Sequence, residues 1–158
     1  MSSSADLLDS LPAFAAWNQG KPDQDRITIF DFLCFNATPE LFFAFASLLR
    51  PELILVEDSY FIKERFGEAA YKAWKEKLSE PRDIQHVMNH VHLTSVFQNQ
   101  DVADDVALVI ARTIELTWNQ LFAELKLKAV VDGSEFGDLS ISLVSSGSDS
   151  TRGTVVKA

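Results

Sequence analysis

The feature of this sequence that most constrains its fold is a dense run of large apolar side chains in the first half. Eight of the twelve phenylalanines lie between Phe30 and Phe66, and the stretch LFFAFASLL (41–49) contains a single polar residue. Rings of this size carry a large apolar area, so a core or an interface has to cover them. We therefore expect the chain to fold and to place these rings either inside a core or against a partner.

The composition is that of a globular chain. Its 158 residues are 47% hydrophobic and 23% charged, which is ordinary for a folded domain and atypical of a disordered one. This length is sufficient for one hydrophobic core. We expect a single globular domain over 6–144, with flexible tails at 1–5 and 145–158, where serine and glycine dominate.

The formal net charge of −9 indicates which partners the chain avoids. A nucleic acid or an anionic membrane would require clustered lysine and arginine, so we expect neither as a partner. The N-terminus has no basic stretch followed by an apolar one, as a secretory signal would, and no apolar run reaches the roughly 20 residues of a membrane span. The sequence thus predicts a cytoplasmic protein.

The first half of the chain predicts three elements. Apolar residues recur at helical spacing over 6–18. The segment RITIFDFLCF (26–35) is β-branched and aromatic, which favours a buried strand. A helix is predicted over 39–49, because Thr38 suits the N-cap and Pro39 the first helical position. That helix is apolar nearly all round, so it should be buried or covered by a partner.

Two interpretations fit the segment 52–62, in which the polar residues EDS separate two short apolar runs. It is either a tight hairpin or a strand followed by a helix that Ser59 caps. The second interpretation allows a parallel βαβ unit at 27–57, with Glu57 and Asp58 at the carboxyl end of a strand, where α/β folds bind their ligands. In a hairpin both acids are turn residues, and this is the interpretation we favour.

The second half alternates helices with strands. Helical patterns occupy 63–78, a histidine-containing segment at 83–93 and a long segment at 101–125. Strands are predicted at 126–131 and 139–144. We therefore predict an α+β fold, a single layered domain whose helices pack on a small sheet. The alternative is an α/β fold built on the parallel unit described above.

All three histidines lie in DIQHVMNHVHL, which begins at Asp83. On a continuous helix Asp83, His86 and His90 share one face, a spacing that suits zinc ligands. Such a set needs a fourth ligand, and His92 would point away from the other two. The competing interpretation, which we favour, is a polar helix face whose Asn89, His90 and His92 form hydrogen bonds where the helix ends.

Other chemistries have little support in the sequence. Cys34 is the single cysteine, and its apolar setting is typical of an inert packing group. The chain has no G-x-S-x-G elbow and no glycine-rich phosphate-binding motif. Candidate catalytic residues are therefore limited to Glu57, Asp58 and Cys34.

The function predicted from these observations is association with another protein or with itself, as a non-catalytic interaction module or a homo-oligomer. The profile of size, acidity and absent motifs is similar to that of adaptor subunits and immunity proteins, by analogy of class alone. We expect no cofactor, and a small-molecule ligand stays open. The alternative is a metal-binding protein or small hydrolytic enzyme that uses zinc at Asp83, His86 and His90. The candidate interaction surface consists of Phe42, Phe43 and Phe45.

Overall fold

The computed structural model describes residues 8, 11–93, 104–133 and 139–146. Within these ranges six α-helices accompany two small antiparallel sheets, which confirms the predicted α+β class. The described ranges also contain short 3-10 helices at Asp23–Asp25, Lys63–Arg65 and Ala123–Leu125. The helices are α1 (Pro12–Asn18), α2 (Ile29–Asn36), α3 (Pro39–Leu49), α4 (Glu68–Lys75), α5 (Pro81–Met88) and α6 (Asp104–Leu121).

The described strands are β1 (Leu53–Val56), β2 (Ser59–Ile62), β3 (Val91–His92), β4 (Leu127–Gly133) and β5 (Leu139–Ser145). β1 and β2 form an antiparallel hairpin, and the second sheet has the order β3-β5-β4 with antiparallel pairing throughout. The predicted strands near 126–131 and 139–144 are confirmed. The parallel βαβ alternative at 27–57 is wrong, because β1 pairs with the strand that directly follows it.

The predicted strand at 26–35 is also wrong, since residues 29–36 form helix α2. Thr28 and Asp31 start this helix as a capping box: the Asp31 amide donates to Thr28 Oγ1, and the Thr28 amide donates to Asp31 Oδ2. These reciprocal hydrogen bonds satisfy amides that the first turn of a helix leaves without partners. A local capping signal thus outweighs the strand preference of β-branched and aromatic side chains.

The histidine helix is shorter than predicted. Pro81 occupies the first position of α5, which ends at Met88, and the chain then enters β3 at Val91. A continuous helix over 83–93 is therefore wrong. The long helix is confirmed over Asp104–Leu121, while the predicted residues 101–103 lie outside the described ranges, as do 1–7, 134–138 and 147–158.

Two cores lie on opposite faces of the β1–β2 hairpin. Leu53 and Ile62 face the larger core, which α6 shares with the three-stranded sheet. Ile54 and Phe61 face the smaller core, formed with α4 and α5. The larger core consists of Ile62, Val91, Leu93, Ala111, Ile114, Trp118, Phe122, Leu127, Ala129, Ile141 and Leu143. The smaller core consists of Phe61, Tyr71, Ile84 and Met88.

Two buried amide side chains of the α5 segment join the edges of the two sheets. Asn89 donates to Tyr60 O and Leu143 O and accepts from the Ile62 amide at 2.9 Å. Gln85 donates to Tyr60 O and accepts from the amide and hydroxyl of Ser145. These bonds pair backbone groups on the edge of β2 that faces away from β1, and groups of β5 that lie beyond the end of β3. The two sheets thereby become one layer with helices on both sides.

Helix α6 is fixed to its neighbours by side-chain hydrogen bonds as well as by packing. The fully buried Trp118 donates from Nε1 to Leu48 O at 3.0 Å, so it satisfies one of the terminal carbonyls of α3. Asn119 accepts from the Ala129 amide on the outer edge of β4. The buried side of α6 is continued by Phe122, directly after the helix, whereas Leu121 is exposed.

Candidate interaction surface

Helix α3 begins and ends where the sequence predicts, but its side chains stay exposed. The Leu41 amide donates to Thr38 Oγ1 at 3.2 Å, and Pro39 takes the first helical position. No residue of α3 is buried: the side chains of Phe42 and Phe43 are 60% and 70% exposed. The prediction that this helix is buried within the chain is therefore wrong, and the predicted alternative, that a partner covers it, stays a prediction.

Helix α2 presents apolar side chains in the same way. None of its residues is buried, and Phe30 and Phe35 are 74% and 70% exposed. It packs mainly on α1, where the Trp17 ring lies 5.7 Å from Phe32 and 5.4 Å from Phe35. One side of α2 is thus occupied by α1, and its other large side chains face outward.

The first two helices form an arm that is bonded chiefly to itself. The buried Asn18 side chain clasps the backbone of Ile27, accepting from its amide at 2.9 Å and donating to its carbonyl at 3.2 Å. In the described part of the chain, the hydrogen bonds, ion pairs and ring contacts of residues 8–37 all stay within that segment. We call residues 8–37 the N-terminal arm.

The exposed apolar side chains of the arm and α3 together form what we call the N-terminal apolar surface. Taking roughly 200 Å² for a fully exposed large side chain, their exposed fractions leave on the order of 1,000 Å² accessible. This is a summed area of separate side chains, and it exceeds the roughly 300–600 Å² of the largest contiguous apolar patch on a typical monomer. The members of this surface are Trp17, Ile29, Phe30, Leu33, Phe35, Leu41, Phe42, Phe43, Phe45 and Leu49.

This surface is nearly free of charge. Between residues 27 and 49 the chain carries two carboxylates, Asp31 and Glu40, and no lysine or arginine. Hydrogen bonds from the Thr28 amide and hydroxyl lower the pKa of Asp31. The pKa of Glu40 is lowered by its own amide and then by Thr38. Both carboxylates therefore belong to helix starts, where negative charge is favourable.

The same helices bear on membrane insertion. No single helix in the described ranges is long and apolar enough to span a bilayer. Segments Asp23–Asn36 and Pro39–Leu49 satisfy length and composition criteria only when taken together, across a bend of 102°.

A cleft of about 440 Å³ borders the surface where α3 meets the sheets. Buried side chains of Ile62, Val91 and Trp118 line it, and Phe43 and Arg65 are among its exposed residues. Phe43 therefore belongs both to the lining of the cleft and to the N-terminal apolar surface.

The structure brings the three histidines together, although not on one helix. His86 lies in the last turn of α5, His90 follows the helix, and His92 is in β3. Ring centroids are 5.8 Å apart for His86 and His90 and 4.4 Å apart for His90 and His92. The prediction that His92 points away was wrong because the chain leaves the helix before reaching it.

The three histidines contribute a contact to the fold, but among the described residues they are not arranged as metal ligands. His90 Nδ1 lies 3.1 Å from Ser142 Oγ, the distance of a serine next to a general base. Ser142 is only 1% exposed, so a substrate cannot reach its hydroxyl, and the contact instead holds the α5–β3 connection on β5. Among the described residues, Asp83, His86 and His90 do not form a group able to hold a metal, nor does any other set of three such side chains.

The remaining candidate residues lie at separate places. Glu57 and Asp58 form the turn of the hairpin with φ of 47° and 66°, as in a two-residue turn that needs two left-handed residues. Glu57 is held there by hydrogen bonds from Tyr71 Oη at 3.1 Å and from Lys75 Nζ. Cys34 was predicted to be a packing group, but the structure exposes it on α2.

Sequence reasoning missed the buried amide Gln85, and it placed Asn89 as a hydrogen-bonding residue at the end of the helix without predicting that its partners lie on two strands. Both are fully buried, and they lie one helical turn apart, beside the apolar side chains of Ile84 and Met88. A polar residue next to an apolar stripe has the same sequence pattern whether it faces water or a strand edge. The available signal was their i, i+4 spacing, which places both on one face.

Comparison of this chain with models of protein families, with curated proteins and with solved structures finds no match.

Proposed function

We propose that this chain acts by binding another protein chain through the N-terminal apolar surface. The single observation that carries the proposal is the exposure of Phe30, Phe35, Phe42 and Phe43 on consecutive helices. Covering apolar area of this size is favourable at roughly 25 cal/mol per Å², and leaving it in water promotes nonspecific aggregation. Aromatic side chains also contribute disproportionately to the energy of protein interfaces.

The arrangement of the molecule supports this role. The body of the fold has its own cores, and of the large side chains of α2 and α3 Leu48 packs against them, while the phenylalanines do not take part. Their conformation is instead fixed locally, by Thr28 and Thr38 at the helix starts and by the Asn18 clasp. Helices that are already formed before binding need little ordering within themselves, which favours affinity.

Site-specific photo-crosslinking in cells tests the proposal. A photoreactive phenylalanine analogue is placed at Phe42 or Phe35, and in a control at Val87, which lies on α5 in the opposite helical layer. We expect protein adducts from the first two positions and none from the control. Equal adducts from all three, or adducts with lipid alone, contradict the proposal.

A further inference from the structure

We propose that the partner of the N-terminal apolar surface is a second copy of this chain, bound in a two-fold symmetric dimer. This inference rests on the proposed function and names the partner. In a two-fold dimer the same surface occurs on both sides of the interface, so that surface must be complementary to itself in size, charge and shape.

The size of the surface fits a stable dimer. The apolar side chains leave on the order of 1,000 Å² accessible, and a standard interface buries about 800 Å² from each partner. Homodimer interfaces are more apolar than other protein interfaces, with aromatic residues enriched and charged residues depleted at their centres. The composition of α2 and α3, six phenylalanines and two carboxylates, has this character.

The charge distribution favours a second copy over an oppositely charged partner. Asp31 and Glu40, the only charged residues between 27 and 49, interact with the starts of their own helices. Two copies of the surface can therefore meet with little like-charge repulsion.

The shape of the surface is also suited to pairing with itself. Phe43, which is 70% exposed, lines the cleft together with Ile62, Val91 and Trp118. Because an exposed ring and a hollow occur at the same place, a two-fold axis can bring the exposed ring of each copy to the hollow of the other. The cleft, of about 440 Å³, is large enough to admit an aromatic side chain.

The N-terminal arm supplies a fourth argument. Its described hydrogen bonds and ring contacts are internal, and it continues into α3 through Ala37 and Thr38. Bonds within the chain therefore fix the arm's own conformation more than its position against the body. A second copy provides the apolar surface against which the arm packs.

The mass of the full-length chain in solution, measured over a dilution series, tests the inference. We expect twice the chain mass of 17.6 kDa, with dissociation on dilution. The double variant Phe42→Glu/Phe43→Glu should raise the dimer dissociation constant by roughly 100-fold or more, because each change occurs twice in a symmetric interface. Val87→Glu, the matched control on α5, should leave the dissociation constant within about threefold.

Circular dichroism distinguishes lost association from lost folding. If the double variant unfolds, Phe35→Glu on α2 decides the question, since it lies on a different helix of the same surface. A monomeric wild-type chain that forms photo-adducts with a different protein from Phe42 overturns the inference and leaves the proposed function standing. A dimer that none of these variants weakens overturns the inference, and a monomer that binds neutral lipid vesicles through Phe42 overturns both proposals.

Discussion

At the scale of single residues, Asn89 has the largest structural role for its size. Its side chain uses both donors and its acceptor on backbone groups of β2 and β5. A buried polar group without a partner destabilises the fold by the full cost of its desolvation. Removing the Asn89 side chain leaves more than one such group. The side chain therefore helps to specify how the two sheets are aligned.

We predict that Asn89→Ala lowers the free energy of unfolding by about 2–4 kcal/mol. The variant leaves the Ile62 amide and the Leu143 carbonyl unpaired in a dry site. Urea denaturation monitored by tryptophan fluorescence measures the change. Asn36→Ala is the control, because the exposed Asn36 side chain donates to Phe32 O within its own helix, and its loss should cost under about 0.5 kcal/mol. Equal losses in the two variants would contradict the assigned role.

The backbone conformation of Asp58, in the turn between β1 and β2, allows a second prediction. Its φ of 66° is in the left-handed region, which costs a non-glycine residue roughly 1 kcal/mol. Asp58→Gly should therefore stabilise the fold by about 0.5–1 kcal/mol, with the hairpin retained. The same change at Asp83, in the first turn of α5, should destabilise it, since glycine weakens a helix. A loss of stability on Asp58→Gly contradicts the turn geometry.

At the scale of elements, one carboxylate joins the hairpin turn to α4. Hydrogen bonds from Lys75 and Tyr71 lower the pKa of Glu57 below its ordinary 4.5. Because the pKa is lower in the folded state, this group stabilises the fold above its unfolded pKa, and the contribution is lost as the pH falls through the folded value.

The corresponding prediction concerns the acid side of the stability curve. Glu57→Gln should lower the urea midpoint at neutral pH and should flatten its fall below pH 4.5. The effect should be small, since the ion pair of Glu57 with Lys75 is half exposed and screened by solvent. Glu124→Gln, at a carboxylate outside the described ion pairs, provides the control. A pH profile unchanged by Glu57→Gln contradicts the contact.

The elements differ in how far sequence could predict them. The α3 boundaries follow from Thr38 and Pro39, and the pairing of β4 with β5 follows from two apolar runs around a polar turn. Helix α2 was missed because six of the ten residues at 26–35 are β-branched or aromatic and favour a strand, whereas the deciding signal is the spacing of Thr28 and Asp31. Capping is local, so this signal was present in the sequence and was outweighed by composition.

The histidine segment shows the opposite case, in which the deciding interactions are distant in sequence. Nothing within DIQHVMNHVHL fixes the end of the helix at Met88. There, Asn89 bonds to strands 29 and 54 residues away, and Val91 pairs with Ile141. The predicted zinc-binding face required a continuous helix. That face does not form, because the helix ends at Met88 and the chain then pairs with β5 as a strand. Contacts between residues so far apart in the sequence can be predicted only once the arrangement of the strands is known.

At the scale of the whole molecule, the exposed apolar area and the negative net charge have opposite effects on the association of two copies. The N-terminal apolar surface favours association, whereas the net charge of −9 makes two copies repel at long range. Salt screens charges that are more than about 8–10 Å apart and strengthens the burial of apolar surface. Both effects act in the same direction on the proposed dimer.

We therefore predict that the dimer dissociation constant falls as the salt concentration rises. Sedimentation velocity over a salt series measures it, with sodium chloride and then sulfate, which favours apolar burial more strongly. The control is Asp132→Asn, which removes an exposed β4 charge outside the N-terminal apolar surface and should tighten the dimer slightly at low salt while leaving high-salt behaviour unchanged. If salt instead weakens the dimer, ion pairs hold the interface together, and the apolar surface is not what joins the two copies.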